Sequence, residues 1–582
     1  MIRLAPCPKG YALDQDKAIA PAETLVHVRE RLKRTGIDIL AHTQRIDVGR
    51  LDIPVYLSVC GSDARRCMPT RKQMGKGANP QQAEASALME LVERFSFFNF
   101  WERMPGMTQA TWSEAERLWG DMLIPVEEIL LSVHDPLPPA KARQVLDLVS
   151  WKFFPATCLT TGRECRLPLD WFKKLGEFNG SSAGNTQEES LLQGVCELAE
   201  RHVCALIDTQ RLTTPTIDAA GTKDPVLQGL MAAFAREGIQ LVLKDFSLGL
   251  PVPTVAALAW DPATFPERSE LVFTAGTASS PVKAAIRAIT EVAQLAGDFC
   301  TGACYEASGL PKFSKPEDTA WLLQGPKITL DCLPSLESAD IRDELTALTA
   351  GLSVQNARVY SIATTHPALN IPAHYSMIPG FAFRERDVNQ SLGLFIGRML
   401  AEDCEAEHAA HGLAVLDTFY PQAHFILFFK GLLELRQGKL EKACVFFQQA
   451  YPLQPDPDSR GLTAFYTAYT HTQAAEWRQA LPFLELALHN APDMKEYWNL
   501  RGVAHFKLKD YDSAARDFEA ALGIDKGSAL DLANLGLCRK FLGDTRTAAH
   551  CLRSALELDP SLDFARTHLK ELEQDTRPAS SL

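Results

Sequence analysis

No apolar run in this chain approaches the roughly 18 residues needed to cross a bilayer, and the opening MIRLAPCPKG holds no apolar signal-peptide core. A cytoplasmic protein with no membrane partner is the expectation. An excess of positive charge is also missing. Lys and Arg number 59 against 72 Asp and Glu, a formal net charge of -13, which argues against a generic nucleic-acid binder because backbone phosphates are held by clustered Lys and Arg. The 14 cysteines contain no C-x-x-C. Cys60/Cys67 and Cys300/Cys304 are among the closest pairs, and the second, one helical turn apart, finds no matching Cys or His pair elsewhere. Buried free thiols are expected in place of a disulfide framework or a zinc site. A phosphate-binding G-x-x-x-x-G-K-[ST] is absent too, since Gly75-Lys76-Gly77 lacks both the upstream spacing and the following hydroxyl. What is present is ordinary for a large soluble protein. With 582 residues, 46% hydrophobic and 23% charged, there is room for several domains and a sizeable core.

Two stretches concentrate the unusual chemistry. Gly75–Ser96 reads GKGANPQQAEASALMELVERFS, a Gly-Lys-Gly turn leading through Asn79-Pro80 into a helix. Ala87, Leu88, Leu91 and Phe95 supply its apolar stripe, while Ser86, Glu90 and Glu93 share another face with Arg94 beside them. Two carboxylates one turn apart repel by about 1 kcal/mol in water and several-fold more when partly buried. Alone, this face could simply be solvated. The second stretch, Asn179–Arg201, reads NGSSAGNTQEESLLQGVCELAER and repeats the arrangement: a small-residue loop, then a helix with Glu189, Glu197 and Glu200 on one side and Arg201 after them. Facing each other, the two helices would bring four or five carboxylates into one cleft, which divalent cations with oxygen ligands, Mg²⁺ above all, would make tolerable.

These stretches resemble the ATP-binding helices of the YcaO superfamily. Ser86, Glu90, Glu93 and Arg94 match its S-x-x-x-E-x-x-E-R. Ser182, Asn185, Glu189, Glu197, Glu200 and Arg201 match the second element, and Arg287, Glu291, Ala293 and Gln294 the third, R-x-x-x-E with Ala-Gln. The resemblance implies ATP and Mg²⁺ as cofactors. Glu90, Glu93, Glu189, Glu197, Glu200 and Glu291 would hold cations and phosphates. Ser86, Ser182, Asn185, Arg201 and Arg287 would contact nucleotide or metal-bound water, with Glu90 serving both. Lys17 and Thr24, in KAIAPAET ahead of a helix over 25–35, fall where relatives carry a basic residue and P-x-E-T on the phosphates. On the residues alone, a surface lysine and a capping threonine are the other reading. Relatives carry a His and an Asp-Pro before the third element, whereas here GTASSP puts Ala278 and Ser280 at about those places.

Strands are expected at Ile53–Cys60, Ile239–Lys244, Thr254–Ala259 and Ala357–Thr364. Helices are expected at Ala83–Asn99, Thr186–Ile207, Asp224–Arg236 and Pro281–Leu295. Residues 1–400 then form an α+β YcaO-like catalytic domain, closing near Ile371–Gly380, with a linker helix beyond it (around Leu392–Glu407, within 401–420 as a domain element). From 421 to 575 the pattern is that of tetratricopeptide repeats, an all-α solenoid. Gly431, Ala443, Phe447, Ala450 and Pro455 open the series. Ala468, Ala480, Leu484, Ala487 and Pro492 follow, then Trp498, Gly502, Ala514, Phe518 and Ala521, then Gly536, Ala548, Leu552, Ala555 and Pro560. A polar helix at Leu562–Gln574 would cap the array, and 576–582 form a tail. Such arrays capture proteins or peptides on a concave face.

The resemblance implies an enzyme that activates a backbone amide of a peptide or protein. The amide oxygen attacks the γ-phosphate of ATP, and the O-phosphorylated amide collapses after a nucleophile adds. A side-chain Cys, Ser or Thr gives an azoline, and external sulfide gives a thioamide. No residue here is a convincing catalytic nucleophile or general base. The Pro-rich tail usual in azoline formers is replaced by TRPASSL after another domain, so thioamide formation or an accessory role in protein sulfur modification is favoured over cyclodehydration. A nucleotide-binding adaptor that scaffolds a modification complex is the rival from another class. A carboxylate-bridged metal hydrolase comes last, because neither helix contributes a His from its signature. Dimerisation through the YcaO-like part is compatible with the resemblance.

Overall fold

The computed structural model describes residues 1–582 except 48–49, 105, 268, 270, 297–298, 300–311, 314, 385–389, 526 and 576–582. Cys300, Cys304 and the expected tail therefore lie outside the described residues. The chain divides into two units. The first comprises Met1–Pro139 and Ser150–Gln390, the second Ala140–Val149 and Ser391–Leu582. The boundary expected at 400 thus falls at 390, and a short stretch of the N-terminal part belongs with the repeats, where Leu148 O lies 2.7 Å from His408 Nε2.

The first unit is α+β. Its smallest sheet runs antiparallel in the order Leu40–Arg45, Val55–Cys60, Lys72–Lys76, so the strand expected from Ile53 is indeed central. A six-stranded sheet runs in the order Lys312–Phe313, Leu271–Thr277, Thr254–Trp260, Gln240–Asp245, Thr216–Asp218, Lys327–Thr329. Its strand Thr254–Trp260 is apolar on both faces, and the period of two sorts its side chains between two cores. Ala256 and Leu258 join Val195, Leu198 and Val203 of one helix, Gln187–Gln210. Val255, Ala257 and Ala259 join Ala284, Ala288 and Val292 of another, Pro281–Ala296. The remaining sheet runs Thr108–Ala110, Trp151–Cys158, Tyr360–Ala363, Ala373–Met377, Ser181–Ala183, with Arg163–Pro168 paired to Trp151–Cys158.

Three strand–loop–helix passages organise this unit, and each loop is three residues long. Lys72–Lys76 passes through 77–79 into Pro80–Arg103, Ser181–Ala183 through 184–186 into Gln187–Gln210, and Leu271–Thr277 through 278–280 into Pro281–Ala296. Asn79 and Thr186 cap their helices by accepting from Gln82 N and Glu189 N. Gly75 and Lys76, read above as part of a turn, are strand residues paired with Tyr56 and Val55. Glycine is needed at 75 because the helix lies directly on the strand: a Cβ there would stand 2.0 Å from Ala87 N and 2.3 Å from Ala83 O. Gly276 seats Pro281–Ala296 on its strand in the same way, 2.5 Å from Ala284 O and Ala288 N.

The second unit is all helix. The expected linker helix is two, Leu392–Asp403 and Ala406–Phe419, parted where Cys404 turns extended. Four antiparallel pairs follow: His424–Arg436 with Leu440–Ala450, Pro457–Gln473 with Trp477–Asn490, Lys495–Lys507 with Tyr511–Ile524, and Ala529–Phe541 with Thr545–Leu558. Asp563–Asp575 comes last. Each pair is seated by a small residue under a large one. A Cβ would come 2.7 Å from the Phe447 ring at Gly431, 3.0 Å from Phe518 at Gly502 and 2.9 Å from Leu552 at Gly536, while Ala468 and Leu484 pack together in the second pair. An ion pair spans the turn of three repeats, Glu434–Lys439, His471–Glu476 and His505–Asp510, and Arg539 and Asp544 attract each other in the fourth.

The Gly75 contact is with backbone, which cannot swing aside. Gly75→Ala is expected to cost about 3 kcal/mol and to lower the melting temperature of the first unit. Gly229→Ala, in a helix with open space at the Cβ, is expected to gain about 0.5–1 kcal/mol. Equal melting temperatures for the two variants would disprove the seating role of Gly75.

Candidate nucleotide and metal site

The three helices that follow the three-residue loops converge on one cleft of about 260 Å³. Helical spacing delivers the side chains. Ser86, Glu90 and Glu93 come from the first helix, Glu189, Gln193, Glu197, Glu200 and Arg201 from the second, and Arg287, Glu291 and Gln294 from the third. Lys76 projects from the end of its strand, and Gln15, Lys17 and Thr24 come from the N-terminal segment. Of the residues singled out from sequence, all but one line this cleft. Ser182 does not. It is buried in its strand with Oγ donating to Ser190 O at 2.7 Å, so it ties the strand to the helix that carries Glu189.

Six carboxylates line the cleft, and five cationic side chains, Lys17, Lys76, Arg94, Arg201 and Arg287, stand among them. Arg94 pairs with Glu93 at 2.9 Å and more loosely with Glu90 at 3.8 Å, and its guanidinium lies 4.0 Å over the Phe178 ring. Arg201 lies 3.9 Å from Glu197. Lys76 pairs with Glu291. Arg287 and Glu291, one helical turn apart, do not pair with each other; Arg287 donates from Nη1 to Gln193 at 3.0 Å, and its Nε is buried without a partner. At the other end, Glu189 accepts from Ala18 N at 3.0 Å and from Asn185 Nδ2, while Thr24 donates to Asn185 Oδ1 at 3.1 Å and Lys17 stands 3.5 Å away. Thr24 and Lys17 are thus built into the cleft wall through Glu189. Glu200 accepts from Thr277 N at 2.8 Å and Glu93 from Ser181 at 2.7 Å.

Compensation by these cations is incomplete. Burial pushes the Glu93 carboxyl up to about 8 and Glu200 up to about 7, with neighbouring carboxylates adding to the rise and arginines opposing it. Glu90 and Glu197 are raised for the same first reason, burial. A buried set of hard oxygen donors whose charged forms are disfavoured is what Mg²⁺ relieves, and the partnerless Nε of Arg287 suits an anionic oxygen. The donor set fits ATP with Mg²⁺. Among the described residues, however, no three acidic, His or Cys side chains already stand grouped to hold an ion.

Sequence reasoning overlooked three parts of this wall. Gln193 sits four residues from both Glu189 and Glu197, so spacing alone could have found it. Lys76 was hidden by reading its strand as a turn. Arg94 was seen only as a neighbour of the carboxylates, although it lines the cleft with them.

The chain matches the family described as YcaO cyclodehydratase, ATP- and Mg²⁺-binding, over residues 74–382. It matches tetratricopeptide repeats over 468–529 and 532–562. It is 28% identical over 374 residues to an uncharacterized protein of Methanothermobacter thermautotrophicus, covering 56% of this chain and 85% of that one. Over 210 residues it is 27% identical to the ribosomal protein S12 methylthiotransferase accessory factor YcaO of Escherichia coli K12, covering 32% of this chain and 35% of that protein. Among solved structures, a heterocyclase in complex with substrate and cofactor shares the fold with a TM-score of 0.51 at 22% identity. That likeness covers 66% of this chain and 54% of the heterocyclase chain.

Behind the second acidic helix, His374 Nδ1 lies 3.0 Å from Ser190 Oγ, and burial pushes its imidazole down from 6.5 to about 4. A group that binds its proton more weakly when folded adds stability that is whole above the unfolded value and is lost as pH falls from there towards the folded one. Acidification from 6.5 towards 4 should therefore cost about 3 kcal/mol through this residue. Urea unfolding across that range should show the loss in the native chain and a shallower slope in His374→Gln. An unchanged slope in the variant would rule the residue out as its source.

Proposed function

The chain belongs to the YcaO family, and on that premise we propose that it uses ATP and Mg²⁺ to activate a backbone amide of a peptide or protein for modification. The observation that carries this reading is the cleft itself, where six carboxylates from three helices line one space with no paired nucleophile and general base among them. Such a cleft handles phosphate and cation. It has no part suited to acyl transfer through a side chain.

In this reading Glu90, Glu93, Glu189, Glu197, Glu200 and Glu291 hold the cations, and Lys17, Thr24, Ser86, Asn185, Arg201 and Arg287 meet the nucleotide or metal-bound water. When bound, ATP supplies the phosphoryl group that turns an amide oxygen into a leaving group, and Mg²⁺ neutralises its charge. The protein's own residues do the holding. Arg287 is oriented by Gln193 and keeps a buried Nε without a partner, and a guanidinium grips phosphate oxygens in a fixed fork. The Asn185–Glu189–Thr24 bonds keep the N-terminal wall closed on the same space.

For the modification itself we favour sulfur as the incoming atom, giving a thioamide or serving protein sulfur modification. Support comes from the likeness to an accessory factor of a methylthiotransferase. Azoline formation is the alternative, supported by the likeness to a heterocyclase. The repeats would capture the peptide or a partner protein. A non-catalytic adaptor is kept as a second reading because the interleaved Lys and Arg make the acidic cluster tolerable without turnover.

Calorimetric titration of ATP with Mg²⁺ is expected to show binding by the native chain, weakened about 10- to 100-fold by Glu90→Gln and Glu200→Gln. Absence of binding in the native chain would refute the nucleotide reading. With a peptide captured on the repeats, ATP and sulfide, mass spectrometry should show oxygen replaced by sulfur. Loss of water would establish cyclodehydration instead, and tight binding with no ATP consumed would leave the adaptor.

A further inference from the structure

We infer that Lys76 is a resident cation of the cleft, holding the place beside Glu291 that a divalent ion takes when nucleotide arrives, and passing its ammonium to the nucleotide's phosphates as it leaves. The inference rests on the nucleotide and Mg²⁺ reading above and adds to it an order of events and a residue that no family motif quoted above contains.

The position of Lys76 is central. Its strand ends at the cleft, and its ammonium pairs with Glu291 of the third helix. Its charge also reaches Glu90 of the first helix and Glu200 of the second, holding both carboxyls down against burial. One ammonium therefore acts on a carboxylate from each of the three helices. The arginines are differently placed. Arg94 is fixed by Glu93 and the Phe178 ring, and Arg287 by Gln193. Among the described residues Lys76 has Glu291 as its one ion-pair partner, and its flexible four-carbon stem makes it the kind of cation that can leave.

When an ammonium and a divalent cation meet at one carboxylate, their mutual repulsion is comparable with the attraction of the single negative charge for the ammonium but well below its attraction for the divalent ion, so the ammonium is the one displaced. A metal ion at Glu291 must displace Lys76. Without nucleotide, the displaced ammonium remains inside a half-buried wall beside the arriving ion. With a triphosphate present it has new anionic partners. Metal uptake is thereby coupled to nucleotide uptake, which accords with the finding that, among the described residues, no three acidic side chains already stand grouped for an ion.

The test is Mg²⁺ titration by calorimetry into the nucleotide-free protein and into protein saturated with a non-hydrolysable ATP analogue, for the native chain, Lys76→Gln and Lys76→Arg. The native chain and Lys76→Arg should bind Mg²⁺ alone weakly and gain about tenfold or more with the analogue. Lys76→Gln should bind Mg²⁺ alone about tenfold more tightly than the native chain and gain less from the analogue. If Lys76→Gln binds Mg²⁺ alone no better than the native chain, the inference fails while the nucleotide reading stands. If the native chain takes up no Mg²⁺ even with the analogue, both fail together. Thermal melting reports whether each variant is folded, and Lys76→Met replaces Lys76→Gln if it is not.

Discussion

Crowding six carboxylates into one cleft is the constraint on which the first unit depends. Desolvation is the first cause of the rise at Glu90, Glu93, Glu197 and Glu200 alike. The fold answers with cations whose placement is as specific as that of the acids. Arg94 follows Glu93 directly, Arg201 follows Glu200, and Lys76 reaches across from a strand to a different helix. The resulting near-balance leaves the site strongly polar and incompletely satisfied, with a buried guanidinium nitrogen of Arg287 facing no acceptor. A cleft in that condition gains from binding anions and metal ions together more than from either alone, since adding one charge type only would restore the imbalance.

Holding such groups in place requires helices that cannot drift, and the three short passages supply that rigidity. A three-residue loop leaves little slack between strand and helix, and at Gly75 and Gly276 the missing Cβ lets the helix lie directly on its strand. The first helix then packs Leu88, Leu91 and Phe95 against Val28 and Leu32 of Pro21–Thr35. The second and third helices cover opposite faces of one sheet through the alternating residues of Thr254–Trp260. Because apolar packing sets each helix's rotation, the acidic faces have no freedom to turn apart in relief of their repulsion. Core packing thus supports the electrostatic strain of the cleft, several kcal/mol of which would otherwise drive the helices out to solvent.

Much of this was legible in the sequence, for reasons that differ by element. The acidic helices declared themselves because Glu90 and Glu93, or Glu197 and Glu200, recur at helical spacing where a lone surface acid carries no information. Strand Thr254–Trp260 was readable as a short β-branched and apolar run. The repeats were readable because small residues recur under large ones. What escaped was whatever depends on how a helix folds back on the strand before it. Lys76 looked like turn chemistry because Gly75 is required by the next helix, which packs back onto its strand through Ala83 and Ala87. Ser182 matched a motif, yet its hydroxyl is consumed by Ser190 O, a partner reached only by the bend of the loop. The membership of Ala140–Val149 in the second unit has no local signal at all.

The two units also show why one kind of pattern survives change and the other does not. In the repeats the turn between paired helices carries the same backbone bond each time, Lys439 N to Glu434 O, Glu476 N to His471 O, Asp510 N to His505 O and Asp544 N to Arg539 O, all 2.9 Å. The side chains at those two positions attract in every repeat, but the acid precedes the base in the first and follows it in the others. An exposed pair contributes a few tenths of a kcal/mol whichever way it points, so its orientation is free to reverse. The seat of Phe447 on Gly431 or Phe518 on Gly502 is not free, because added volume at a close contact costs whole kcal/mol. In the cleft the weighting is inverted. Volume there is open, and the sign of each charge is what matters, since reversing Lys76 or Arg94 would leave a buried carboxylate opposed by another. Geometry therefore identifies the repeats, and charge identifies the cleft.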